Sequence, residues 1–162
     1  MAGVSRVLAD GSVTAAKLAA GVGGAKAGSV FVNSAVSTTS TSYADVTGLS
    51  VSITPSTNTK KVLIIANLML GGSAFIDLSI RLMRDATAIA LDSGSLYTLE
   101  YLIENNGRAF PVPISFLDAP ATTSAVTYKV QWKVDGNTAY LNRRGLDATV
   151  RGTSTLSVIE TS

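Results

Sequence analysis

The chain reads as an all-β protein, an antiparallel, jelly-roll-like β-sandwich carrying a short N-terminal arm. From Val30 onward apolar and polar residues alternate with a period of two, the spacing of a strand with one buried face. Turn signals (Asp-Gly, Asn-Gly, Gly-Gly and isolated prolines) cut that pattern into about ten short runs. Met1–Ser29 is different in kind: rich in Ala and Gly, with no aromatic residue. Eight to ten short strands suit a jelly roll, although other Greek-key wirings would give the same rhythm. The expected division is an arm over residues 1–29 and a β-sandwich domain over residues 30–162.

Within the arm, Ser12 or Thr14 can cap a helix over the Ala-rich run and Gly21 can end it. Two turns are marginal alone in water, so this helix needs a partner, which Val13 and Leu18 would contact. Gly21–Gly28, GVGGAKAG, reads as a flexible joint.

The strands follow in order. Val30–Val36 is the first, and STTSTS over Ser37–Ser42 is a hydroxyl-rich loop or edge. Thr47-Gly48 precedes Leu49–Thr54, where Leu49, Val51 and Ile53 alternate with serines until Pro55 closes the run. Lys61–Leu70 is apolar on successive positions, as in a strand covered on both faces, and Gly71-Gly72 turns the chain. Ala74–Met83 alternates cleanly, and Asp85 starts a short turn into Thr87–Leu91. Tyr97–Glu104 fits a helical face or a strand, and Asn106-Gly107 just after it favours a strand paired with Ala109–Leu117. Pro111 and Pro113 put that partner at a sheet edge. The strongest alternation is Val126–Val134, whose Asp135-Gly136 predicts a hairpin returning through Thr138–Leu141. Asn142–Gly152 is an arginine-bearing surface loop, and Thr155–Glu160 is the last strand.

Composition narrows the function. Among 162 residues there is no cysteine and no histidine. That removes disulfides, a thiolate nucleophile, the commonest general base and the commonest metal ligands. Glu100 and Glu104, on one face of a strand, would stand about 13 Å apart, too far for joint acid–base work. No spaced Asp and Asn run makes a calcium loop. Thirteen Lys and Arg against 11 Asp and Glu leave a net charge of +2 with the basic residues scattered, a poor match to nucleic acid. The densest apolar run, Val62–Leu70, contains Asn67 and is too short for a membrane helix, and Met1–Ala9 lacks the apolar core of a signal peptide. The expectation is a soluble, non-enzymatic protein without cofactor, metal, nucleic-acid or membrane partner.

Two groups of residues carry a family likeness. DGSVTAAKLAAG over Asp10–Gly21 resembles the N-terminal segments of bacteriophage tail-fibre and other virion proteins. TSYADVTGLSVSITP over Thr41–Pro55, LDAPATTSAVTYKVQW from Leu117 with its continuation to YLNR, and RGTSTLSVIE over Arg151–Glu160 resemble compact knob domains of phage fibres and decoration proteins. The resemblance implies a virion structural protein made in the host cytoplasm, a homotrimer with a jelly-roll or tumour-necrosis-factor-like knob. Its arm would bind the major capsid or another virion protein. With one DGSVT unit and no shaft repeats, the chain fits a short head fibre or capsid-decoration protein better than a long tail fibre.

The alternative is a receptor- or glycan-binding tip. Trp132, Tyr140, Tyr97 and Tyr101 are the available stacking surfaces, and Arg143, Arg144 and Arg108 could address acidic sugars. Trp132 is in phase with the core, which leaves Tyr140, Arg143 and Arg144 as the candidate partner surface.

Overall fold

A computed structural model describes residues 26–91, 98–103, 106–149 and 151–161. The residues of the expected arm helix, Val13 and Leu18 among them, and Tyr97 lie outside them. The described chain is eleven β-strands in two antiparallel sheets. They are β1 (Ala27–Val32), β2 (Val36–Thr38), β3 (Ala44–Ile53), β4 (Lys61–Gly72), β5 (Ile76–Arg84), β6 (Thr87–Ile89), β7 (Leu99–Ile103), β8 (Ala109–Asp118), β9 (Val126–Val134), β10 (Ala139–Leu141) and β11 (Ser154–Thr161).

The wiring is that of a jelly roll. The eight principal strands pair as a nest: β1 with β11, β3 with β9, β4 with β8, and β5 with β7. Contacts of β4 with β11 and of β5 with β9 join these pairs into the sheets β1-β11-β4-β8 and β3-β9-β5-β7. This is one long hairpin wound around a common core. The three short strands extend it. β10 continues along the edge of β4 beyond β11 and carries β2, while β6 continues along β5 beyond β7.

That nest corrects two expectations. The Asp135-Gly136 segment does not close a hairpin: β9 lies in one sheet, while β10 pairs with β2 and β4 in the other. The left-handed residue of this corner is Asn137, at φ 59°. Asn106-Gly107 likewise carries the chain between sheets, so β8 pairs with β4 rather than with β7. The tight two-residue hairpin is at Asp85-Ala86, where Arg84 faces Thr87. Three boundaries also move. The first strand begins at Ala27, ahead of Val30, and Val36 belongs to the separate β2. β4 runs through Gly71-Gly72 instead of turning there. β3 passes through Gly48, whose positive φ of 86° forms a bulge that keeps both Val46 and Leu49 on the core face.

Alternation places the core as expected. Val62, Ile64, Ala66, Leu68 and Leu70 of β4 face Ile76, Leu78, Ile80 and Leu82 of β5 and Val126 to Val134 of β9, including buried Trp132. Two buried polar nodes hold this apolar interior. At one end Asp118 of β8 accepts hydrogen bonds from Arg84 of β5 (2.9 and 3.0 Å) and Tyr128 of β9 (2.7 Å), which ties the sheets together. Burial and the Asp118 contact push the Tyr128 hydroxyl pKa far up, so it remains a donor.

At the other end stands Asn142, fully buried rather than in an open loop, at φ 62°. Its amide group donates to the Val32 and Ser34 carbonyls (2.7 and 3.0 Å) and accepts from Ser154 (2.6 Å). Its backbone N–H donates to the Met69 carbonyl, and its carbonyl accepts from Gly152. Truncation would strand several buried partners at once. Asn142→Ala should therefore lower the unfolding free energy by about 3 kcal/mol, measured by urea denaturation. A loss below about 1 kcal/mol would mean the node is not structural.

Candidate functional site

The strands give the molecule two distinct poles. β4 rises from Lys61 to Gly72, twelve residues or about 40 Å. At its lower end lie Ala27, the first residue of β1, and the Arg84–Asp118–Tyr128 node. There too, Ser56 donates to both Glu160 oxygens (2.6 and 2.7 Å) and holds that carboxyl below its ordinary value. At its upper end converge the β4–β5 loop, the β7–β8 loop, the β9–β10 corner and the segment 142–149.

This upper pole contains the candidate partner residues, and its backbone is built around glycine. A Cβ on Gly71 would strike the Arg143 carbonyl, and one on Gly145 would strike that of Gly72. The loop after Asn142 therefore lies directly against the end of β4. Arg143 sits with its guanidinium 4.1 Å from the Tyr140 ring centroid, and its Nε donates to the Arg144 carbonyl at 2.9 Å. Arg144 forms a forked pair with Asp147 (3.1 and 2.6 Å) and also reaches Thr149. Leu146 N–H donates to the Asn106 carbonyl, which pins this loop to the β7–β8 loop. Across the pole, Ser73 and Thr138 exchange hydrogen bonds, and Asn137 Nδ2 donates to the Phe75 carbonyl at 3.0 Å.

Tyr140, Arg143 and Arg144 are thus brought together, but in different roles. Arg143 covers one face of the half-buried Tyr140 ring, and Arg144 is committed to bracing the loop through Asp147. Two residues that sequence reasoning missed stand out instead: Phe75 and Leu146, 62 % and 61 % exposed on loops held by hydrogen bonds. These apolar side chains are held open to solvent on a braced scaffold, where a partner could reach them. Arg108 is exposed beside them. Among the described residues no three His, Cys, Asp or Glu side chains cluster as metal ligands would.

The outward face of the β3-β9-β5 sheet is polar. Asp45 accepts from Lys129 (2.8 Å) and Gln131 (2.6 Å), Gln131 accepts from Arg81, and Arg81 lies 3.8 Å from the Tyr43 ring centroid. Lys129 chiefly, with Gln131, draws the Asp45 carboxyl below its ordinary value. These side chains satisfy one another and form an ordinary wet sheet face.

The loop brace has a pH signature. Arg144, followed by Thr149, holds the Asp147 carboxyl well below its ordinary 3.8. A depressed carboxyl contributes its full effect above 3.8 and loses it as pH falls through the lower folded value. Carboxyl NMR should place the Asp147 titration below 3.8 in the native protein and raise it toward that value in Arg144→Ala, with the Thr149 contacts retaining part of the depression. The same variant should speed amide exchange across 143–149 several-fold at neutral pH. An unchanged titration would show that the pair does not form in solution.

No family model matches the chain, and no curated protein matches it. Among solved structures it is similar to infectious bursal virus derived T=1 particles, with TM-score 0.40 and 10 % identity over 84 % of this chain and 36 % of that one. It is also similar to the infectious bursal disease virus VP2 subviral particle, with TM-score 0.38 and 14 % identity over 84 % of this chain and 37 % of that one. The chain spans about a third of the length of these structures.

Proposed function

We propose that this chain is a non-enzymatic structural protein of a bacteriophage particle. In this reading it is a homotrimeric capsid-decoration or short head-fibre protein, anchored by its N-terminal arm to the major capsid or another virion protein. The observation that carries the reading is the polarity of the domain. The arm joins at Ala27 at one pole, while exposed Phe75 and Leu146 stand at the other. A body built this way is held from below and presents its loops outward. The resemblance of DGSVTAAKLAAG to virion-protein N-terminal segments supports the same assignment. In the arm, Val13 and Leu18 are the residues proposed to meet the particle or the other arms of the trimer.

A second reading rests on the upper pole itself. Phe75, Leu146, Tyr140 and the neighbouring arginines would serve a receptor- or glycan-binding tip, with stacking from the rings and charge from Arg143 and Arg108. A glycan array and a host-cell adsorption assay separate the two. Binding abolished by Phe75→Ala with Tyr140→Ala favours the tip, and no binding favours the purely structural role.

Deleting Met1–Ala20 should leave a β-rich, cooperatively unfolding domain that no longer co-sediments with virus particles, a loss of at least about tenfold. Undiminished decoration by the truncated chain would contradict the arm as anchor.

A further inference from the structure

The outward face of the β1-β11-β4-β8 sheet departs from the usual pattern of a two-layer sandwich, polar on the outside. Strand register assigns its rows. Leu117, Leu63, Ile159 and Ala27 stand side by side across all four strands. Above them run Ser115, Ile65, Ser157 and Ser29, and then Pro113, Asn67, Thr155 and Phe31. Met69 and Pro111 follow, below the loop that covers Gly71. No charged residue occurs in these rows, whereas the opposite sheet presents Asp45, Lys129, Arg81 and Lys133. Phe31 is 68 % and Leu117 47 % exposed. A shallow depression lined by Ala27, Gly28, Ser29, Ser157 and Ile159 lies on the same side.

We infer that this face is the interface between copies of the chain, which deepens the homotrimer reading above and rests on it. Three observations select a further copy as the occupant. The rows from Leu63 to Met69 carry no charge, with Lys61 at their lower margin, so they meet without stripping water from an ion. Two of its hydroxyls already partner each other, Ser29 with Ser157 at 2.9 Å, so burial orphans neither. Its size is also sufficient. Four strands by eight residues make a footprint of about 19 by 26 Å, roughly 500 Å² per copy. Three such faces gathered on one axis together withdraw roughly 1,500 Å² from water.

Association by the sheet edge is blocked on one side. Pro111 and Pro113 share a register parity on β8, whose free edge therefore lacks two donors. Association through the face remains. Three faces about 19 Å wide around a threefold axis put each sheet about 5.5 Å from it, close to half the ~10 Å spacing of packed sheets. Leu63 and Ile159 would then line the axis, with Phe31 and Leu117 at the two seams.

Sedimentation velocity of the full chain at micromolar concentration tests this, with circular dichroism run on every sample. The native chain should sediment with the mass of three chains. Leu63→Lys should sediment as a monomer with an unchanged β spectrum, a rise in dissociation constant of at least about a hundredfold. Phe31→Glu and Leu117→Glu, at exposed positions that a glutamate occupies without disturbing the core, keep the test valid if Leu63→Lys misfolds; each should weaken assembly at least about tenfold. Lys133→Glu, on the opposite sheet, should have no effect. Trimers that persist in all three folded face variants would overturn the interface and leave the homotrimer standing. A native chain that is monomeric would overturn both.

Discussion

The fold depends on a splice. One edge of β4 is shared end to end by two strands, β11 along Lys61–Asn67 and β10 along Leu70–Gly72, and the chain must leave one and rejoin the other without exposing buried backbone. Asn142 solves this in a single residue. Its left-handed backbone turns the chain out of β10, its own N–H and C=O bond to Met69 and Gly152, and its side chain holds Val32, Ser34 and Ser154. Strands β1, β4, β10 and β11 therefore meet at one amide. Asparagine suits the place because it tolerates positive φ while carrying both a donor and an acceptor.

From that splice the two poles follow. The loop that leaves Asn142 is pressed onto the end of β4, where a side chain at Gly71 or at the loop's Gly145 would collide with backbone, and this builds the upper pole from contributions far apart in sequence. Phe75 and Leu146 are exposed on loops fixed by hydrogen bonds to their main chain, from the Asn137 side chain to the Phe75 carbonyl and from the Leu146 N–H to the Asn106 carbonyl, rather than by burial of their own side chains. At the lower pole Asp118 and Glu160 are both consumed by neighbours, Arg84 with Tyr128 in one case and Ser56 in the other. The Ala27 end of the sandwich thus presents a closed set of polar contacts.

The sequence displayed the strands much better than their partners. Period-two alternation marked β5, β9 and β11 almost to the residue, because a strand with one face on a core must alternate. It also predicted β4 covered on both faces; Leu63, Ile65 and Met69 are apolar on the side away from the core but only half-buried there, and Asn67 is exposed. Pairing was hidden. Asp135-Gly136 and Asn106-Gly107 have the chemistry of a tight turn, and the same chemistry serves a corner between sheets. A nested wiring decides between them through contacts such as Ala27 with Ile159, which leave no local trace. Asn142 was equally invisible, since nothing near it in sequence distinguishes a buried asparagine from a loop one. Of the upper pole, Tyr140 and Arg143 were legible as an aromatic and a cation close in sequence. Phe75 and Leu146 were not, because their exposure is a property of the folded loops.

The most direct test of a body held at one pole and open at the other is its orientation on a particle. Electron cryomicroscopy of phage particles decorated with the full chain would resolve which end of the sandwich faces the shell. The account predicts the Ala27 end against the shell, with Phe75 and Leu146 pointing away. The opposite orientation, with the loop end buried in the shell, would contradict it.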